Sequence, residues 1–379
     1  MSSLYFDNNA TTIVDPEVIQ SMQECWGSQL GNPSSNHSFG RKAHRLVEEA
    51  RIKVANAVGA LPKEVFFTSS GSESNNWFVH GMAKVNPDAK FFYGATEHPC
   101  ISKPMQQLQN IGIFSEVIPV KTSGEVDETF FKKLNKNDIN IVSLMYVNNE
   151  SGVIHDLKKI KENLGSNVLL HSDAVQALGK IKLEFNDLNL DAMSISSHKV
   201  NGPQGIAALV IKNGLDIEPL IYGGGQESGL RSGTENIASI VGFGKACELA
   251  KEKLKKTVHL KELRDFFEKN IKLLGGAIFA EASPRVSNTS FFGFPNIDGA
   301  TLITALDKHG IGIASGSACS SNNKEPSHVL LAMGIEDQQA QSAVRLSLGD
   351  QNTKEDIVFL LEKIKLEVNR LLTYTSILN

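Results

Sequence analysis

Three segments of this chain set reactive side chains directly after short apolar runs. In Val65-Phe-Phe-Thr-Ser-Ser-Gly-Ser-Glu-Ser-Asn, a strand-like run passes into Ser69–Ser72 and then into a helical pattern. Small residues let a ligand approach the backbone, and a helix start offers unpaired N–H groups and the positive end of a dipole, which suits phosphate. A serine cap on an ordinary helix accounts for the same residues. No Gly-Lys-Ser/Thr closes the loop, so it is not a P-loop. In Val168-Leu-Leu-His-Ser-Asp-Ala-Val-Gln-Ala, Asp173 follows a run that reads as buried, where a carboxylate needs a cation or strong donors. A protonated pyridine nitrogen is one such cation; helix capping is the plainer role. In Met193-Ser-Ile-Ser-Ser-His-Lys-Val-Asn-Gly-Pro, Lys199 stands between a short apolar run and a Gly-Pro turn. A lysine there can form a Schiff base with an aldehyde, or lay its stem along the surface and put its charge in water.

The elements between these segments alternate. Strands are expected over Val65–Thr68, Phe91–Gly94, Ser115–Pro119, Ile139–Tyr146, Val168–His171, Ala192–Ile195 and Ile206–Ile211, with helices over Glu73–Val85, Ile101–Gln109 and Asp156–Leu164. That alternation predicts a mainly parallel sheet covered on both faces, with ligands beyond the carboxyl ends of its strands. From about 234 to 274 the pattern is long, charged and helical, and reads as a solvent-facing helix leading out of the first domain. The C-terminal third holds strand-like Val286-Ser-Asn-Thr-Ser-Phe-Phe, a Gly/Ser-rich stretch at 315–321 and a closing helix after Asp350. The expected division is a large α/β domain over 15–250, and a smaller α+β domain from 1–14 and 251–379.

With 379 residues, 41% hydrophobic and 21% charged, the chain has the balance of a soluble globular protein. A net charge of −4 gives no reason to expect nucleic acid or an anionic membrane as partner. The start MSSLYFDNNATT lacks a basic region followed by an apolar one, no apolar run approaches the ~18 residues of a membrane span, and a cytoplasmic location is expected. Cys25, Cys100, Cys247 and Cys319 lie far apart with no C-x-x-C pair, which excludes a zinc knuckle and a dithiol motif. An active cysteine here would work alone, as a thiolate. The first three fall in helical or helix-start contexts and read as structural. Cys319 lies in Ala314-Ser-Gly-Ser-Ala-Cys-Ser-Ser-Asn-Asn-Lys-Glu-Pro, a polar setting suited to delivering a reactive group; a small buried hydrophobe is the alternative.

A small-residue phosphate loop, a strand-end Asp and a strand-end Ser-Ser-His-Lys, in that order along one sheet, match the phosphate cradle, pyridinium partner and Schiff-base lysine of a fold type I pyridoxal-phosphate (PLP) enzyme. Nearly the whole chain then resembles the cysteine desulfurases of the NifS/IscS type, within the class V aminotransferase-like group. The resemblance rests on Tyr5-Phe-Asp-Asn-Asn-Ala-Thr-Thr, Gly31-Asn-Pro-Ser-Ser, the 68–76 loop, Thr96-Glu-His-Pro and Val147-Asn-Asn-Glu. It continues through His171-Ser-Asp-Ala-Val-Gln, Ser196-Ser-His-Lys, Gly229-Leu-Arg-Ser-Gly-Thr, Ser315-Gly-Ser-Ala-Cys and Val344-Arg-Leu-Ser-Leu-Gly.

The resemblance implies a role for each position. Lys199 would carry the cofactor and Asp173 would pair with its ring nitrogen. His98 would stack on the ring and assist proton transfers, and Gln176 would reach the phenolic oxygen. Gly71, Ser72, Ser196 and His198 would hold the phosphate, with Thr234 supplied by the neighbouring subunit of a homodimer. Asn149 and Arg345 would orient the substrate carboxylate, a task suited to a planar, always-charged guanidinium. Cys319 would take sulfur from L-cysteine as a persulfide, leaving alanine, and pass it to a sulfur acceptor or iron–sulfur scaffold protein. Cys319 could also serve as a transient iron–sulfur ligand, and no other metal ligands are expected. Ser70 and Gly71 stand where many relatives have Gly-Ala, an exchange of small residues. The chain stops at Asn379 without the longer tail some relatives use to dock a scaffold, which leaves the docking mode open. Rival activities on this scaffold are selenocysteine lyase and aminotransferase, and a cofactor-free regulatory protein is a further alternative. Gly223-Gly-Gly-Gln-Glu-Ser-Gly does not give the G-x-G-x-x-G of a dinucleotide-binding turn.

Overall fold

A computed structural model describes residues 3–135, 137–165, 167–315 and 325–378. Seven strands form the main sheet, in the order Val65–Thr68, Ala207–Ile211, Ala192–Ser196, Val168–Asp173, Asn140–Ser143, Lys90–Gly94 and Ser115–Ile118. All pairs are parallel except where Ala207–Ile211 runs against both its neighbours. Each expected strand falls on one of these. The fourth stops at Ser143 rather than Tyr146, although Leu144 and Tyr146 still donate to the His171 and Asp173 carbonyls. The central strands bury nearly every residue, as continuous apolar runs under helices on both faces require.

The stretch from 234 to 274 departs from expectation. It forms two helices, Ile237–Lys253 and Thr257–Leu273, joined by a 3₁₀ turn at Leu254–Lys256. The first is not solvent-facing, because it buries Phe243, Ala246 and Cys247 in the main core. It packs so closely on helix Ser38–Val58 that a Cβ on Gly244 would stand 2.8 Å from Ala50 Cα. Charged residues toward its carboxyl end give the segment a charged look that its first two turns do not share.

A second sheet, ordered Ala314–Ser315, Val344–Ser347, Thr289–Gly293 and Ala277–Ile278, is antiparallel throughout. It packs with helices Thr257–Leu273 and Lys354–Leu378 around a separate core that includes Phe267, Phe292, Leu346 and Ile364. The chain start crosses to this side: Leu4–Tyr5 pairs with Ile311–Gly312, and Asp7 bridges to Ser347. Asn9 to Thr12 then lie over the ends of the main-sheet strands, with Thr12 bonded to the His198 carbonyl. No helix among the described residues is long and apolar enough to cross a membrane.

Candidate active site

Asp173 is delivered by the carboxyl end of the strand Val168–Asp173 and is 5% exposed. Its Oδ2 accepts from Asn75 Nδ2 at 2.7 Å, and its Oδ1 from the Val175 amide at 3.0 Å. Both donors are neutral, so a cation on the open side would complete the carboxylate's surroundings. Nearby Glu97 is fully buried; burial and then Asp173 raise its pKa well above the ordinary value, against the Met145 amide that donates to it.

The adjacent strand, Ala192–Ser196, runs into a 3₁₀ turn at Ser197–Lys199. Lys199 Nζ donates to the carbonyls of Asn9 and Ala10 at 2.7 and 2.6 Å. Across the cleft, Ser70 caps helix Gly71–Val85 by accepting from the Glu73 amide at 3.1 Å. The capping role and the cradle role of this loop are thus compatible. A Cβ on Gly71 would stand 2.9 Å from Val175 Cγ2, so a methyl would crowd the helix start where a phosphate fits.

His98 caps helix Pro99–Asn110. Its Nδ1 accepts the Cys100 amide at 3.2 Å and lies 2.9 Å from Cys100 Sγ. Burial lowers its pKa against the pull of Asp173, with Lys199 and His328 adding to the effect of burial. Burial, then Lys199, brings His198 to about 4. Arg345, buried on the strand Val344–Ser347, donates to the Asn149 carbonyl at 3.1 Å and to Asp7 Oδ1 at 2.6 Å. Its Nε and the side-chain oxygens of Asn75 and Asn149 are buried without a hydrogen-bond partner among the described residues. Such orphans are costly in an interior and are what a polar ligand would satisfy.

One cavity of about 310 Å³ collects these groups. Of the residues singled out from sequence, Gly71, Ser72, His98, Asn149 and Asp173 line it, as do Gln176, Ser196, His198, Lys199 and Arg345. Thr234 does not: it is exposed, in the segment before helix Ile237–Lys253. Cys319 lies outside the described residues. The cavity also takes in Asn9, Asn75 and Cys100, which the sequence reading missed. Cys100 was expected to be structural. Instead its sulfur touches His98 and accepts from Asn75 Nδ2 at 3.0 Å, while burial and then Asp173 raise its pKa far above the usual thiol value. Asn75 had a signal, since it lies one helical turn beyond Gly71; Asn9 had none within its own segment.

The cavity fits PLP on the observations above: a glycine-walled helix start for the phosphate, a buried carboxylate with neutral donors for the ring nitrogen, and the Lys199 amine lining the same space. The family model described as Aminotransferase class-V matches residues 4–360. "Cysteine desulfurase IscS" of Clostridium botulinum (strain Hall) is 41% identical over 369 residues, covering 95% of this chain and 92% of that protein. A protein of the same name from Dictyoglomus turgidum is 38% identical, covering 98% and 95%. Among solved structures, "NIFS-LIKE PROTEIN" superposes with a TM-score of 0.91 at 37% identity, covering 97% of this chain and all of that one. "SspA in complex with cysteine" gives 0.80 at 30% identity, covering 92% and 99%.

Proposed function

The chain belongs to the class V aminotransferase family, and from that premise we propose that it is a PLP-dependent cysteine desulfurase. It would convert L-cysteine to L-alanine and hold the sulfur as a persulfide on Cys319. The observation that carries this reading is the convergence of Lys199, Asp173 and the Gly71–Ser72 helix start on one cavity. Fold-level likeness alone would leave the chemistry open.

When bound, PLP supplies an aldehyde for amine exchange and a ring that accepts electrons from the substrate. Lys199 would hold the aldehyde carbon, and its Nζ is the amine that would take a Cα proton from the substrate. Asp173 would keep a ring nitrogen protonated, and Gly71, Ser72, Ser196 and His198 would hold the phosphate. His98 accepts the Cys100 amide at Nδ1, so its neutral ring carries its proton on Nε2 and can pass it on from there. Arg345 and Asn149 hold the substrate carboxylate and so select an amino acid bound by its α-groups. The Cys319 thiolate attacks the substrate sulfur. The carbon–sulfur bond breaks with its electron pair on carbon, which is then protonated toward alanine. A free cysteine has a pKa of about 8.5, so a base or the substrate must help to form the thiolate.

The same proposal includes the division into 15–250 and 1–14 with 251–379, a cytoplasmic homodimer in which Thr234 reaches the neighbouring phosphate site, and delivery of sulfur to an iron–sulfur scaffold or another acceptor. In that role Cys319 could bind an iron–sulfur unit transiently. The test is to incubate purified protein with cysteine and measure alanine and sulfide with and without dithiothreitol. Sulfide should depend strongly on the reductant, and Cys319→Ala should lose it while keeping the visible Schiff-base band. Full sulfide release by Cys319→Ala would remove the desulfurase reading, and a band that persists in Lys199→Ala would remove the cofactor assignment.

A further inference from the structure

Lys180 lies four residues beyond Gln176, in the turn that follows the Asp173 strand. Its Nζ donates to Asn9 Oδ1 at 2.8 Å and, over a very short contact, to Gln176 Oε1. Both acceptors are neutral, although the amine is largely withdrawn from water. A half-buried lysine that bonds only neutral oxygens is unusual, and burial, then Lys199 and Arg345, lower its pKa well below the ordinary lysine value.

Its surroundings tie it to the site. Asn9 is shared: its carbonyl accepts from Lys199 Nζ at 2.7 Å and from Gln176 Nε2 at 2.9 Å, while its side-chain oxygen accepts from Lys180. One asparagine therefore joins both amines and the glutamine. The charged groups facing Lys180 are Lys199 and Arg345 toward the main cavity. Lys253 and Asp350 line a smaller pocket together with Lys180 and Lys199. Asp350 is drawn toward Lys256 at 3.7 Å, and Lys253 toward Asp15 at 3.4 Å.

We propose that Lys180 is a positioning residue for this centre: it fixes the orientation of the Gln176 amide and, through the Asn9 it shares with Lys199, couples its own protonation to that of the Lys199 nitrogen. Lys180 Nζ donates to Gln176 Oε1 while Gln176 Nε2 donates to the Asn9 carbonyl, so the amide oxygen faces Lys180 and its NH₂ faces Asn9 and the cavity. A flipped amide would set its oxygen against the Asn9 carbonyl and lose both bonds. Gln176 thereby offers the cavity a donor, as an anionic or phenolic oxygen requires. Two amines gathered around one asparagine each disfavour protonation of the other. The Lys199 nitrogen then gives up its proton more readily, which its work as a base demands.

The inference rests on Lys199 as the cofactor-bearing lysine, and the test separates the two. In the loaded full-length protein, the absorbance of the Schiff base against pH reports the proton affinity of the Lys199 nitrogen. Lys180→Met should raise the midpoint by roughly one unit, and Lys180→Arg, which keeps the charge, should restore it close to the parent value. Lys180→Gln, which keeps a donor toward Gln176, should also raise the midpoint and serves if the methionine variant does not fold. After cofactor removal, pH-dependent acylation of Lys199 followed by mass spectrometry should show the same ordering. A midpoint unchanged in both neutral variants overturns the proposal. A Schiff-base band that survives Lys199→Ala overturns the cofactor assignment instead, while the acylation profile still measures the coupling of the two amines.

Discussion

Asn75 Nδ2 donates to Asp173 Oδ2 at 2.7 Å, so the helix that begins at the phosphate cradle also holds the carboxylate at the end of the neighbouring strand. Asn75 and Asp173 are both buried, and the bond is one of the few that hold Asp173 in place. Hydrogen bonds to charged groups are worth about 1.5–3 kcal/mol. Asn75→Ala should therefore weaken cofactor retention by roughly tenfold to a hundredfold, measured by equilibrium dialysis. Asp173→Asn, which removes the charge itself, should lose at least as much affinity and nearly all turnover. Unaltered retention in both variants would show that the ring nitrogen is not paired here.

Gly71→Ala tests the cradle. The added methyl would sit 2.9 Å from Val175 Cγ2, and forced overpacking of this kind costs about 1–3 kcal/mol. Because the crowding falls where the phosphate would lie, the loss should appear in PLP affinity, by roughly tenfold to a hundredfold. The cofactor-free chain carries the same clash and should lose about 1–3 kcal/mol of stability as well, so the extra loss in PLP affinity is the discriminating readout. Equal destabilisation of both forms would mean that the glycine serves packing alone.

The strand ends were legible because each carries its reactive residue beside its own apolar run: Asp173 after Val168–Leu170, and Lys199 after Met193–Ile195. Chain order along the sheet did the rest. Asn9, Cys100 and Lys180 were not legible, since each acts on a residue from another segment or through a turn that local sequence does not reveal. Asn9 reaches Lys199 across 190 positions. The buried helix Ile237–Lys253 was misread for a related reason: beside Ile240 and Phe243, most of its inner face is Ala, Gly and Ser, which carry little hydrophobic signal yet permit close packing.

Alkylation should sort the cysteines. Burial raises the thiol pKa of Cys100 and Cys247 far above the ordinary range, and that of Cys25 also rises by burial. Reaction requires the thiolate. Native protein treated with iodoacetamide near neutral pH should therefore carry label on Cys319 and none on Cys100 or Cys247, read by peptide mass spectrometry. Label appearing first on Cys100 would reassign the reactive thiol to the floor of the cavity.

Arg345→Lys should separate shape from charge. The guanidinium already uses two nitrogens on Asn149 and Asp7, and a lysine cannot reproduce that planar fork. The KM for cysteine should rise by about tenfold or more, with a smaller change in kcat, as expected for lost ground-state binding. A fall in kcat at constant KM would place Arg345 outside the substrate contact.

Glu150 sets a pH dependence of stability. The residue is fully buried, accepts from Ser327 Oγ at 2.5 Å, and lies beside the cavity-lining Asn149. Burial raises its pKa from 4.5 to about 7, against the lowering effects of the Ser327 bond and Arg345. The folded chain then binds more protons than the unfolded chain between those values, so this group's contribution is complete at low pH and falls as pH rises through 7. Glu150→Gln keeps an acceptor for Ser327 but cannot ionise. Its stability relative to the parent should be level near pH 4.5, improve by up to about 1.4 kcal/mol per pH unit toward neutrality, and level off above. Every other titrating group is common to both proteins and cancels in the difference. Thermal unfolding of the pair from about pH 5 to about pH 8 measures it. A difference that does not change across this range would mean that Glu150 is already ionised in the folded state, held by Ser327 and Arg345 despite its burial.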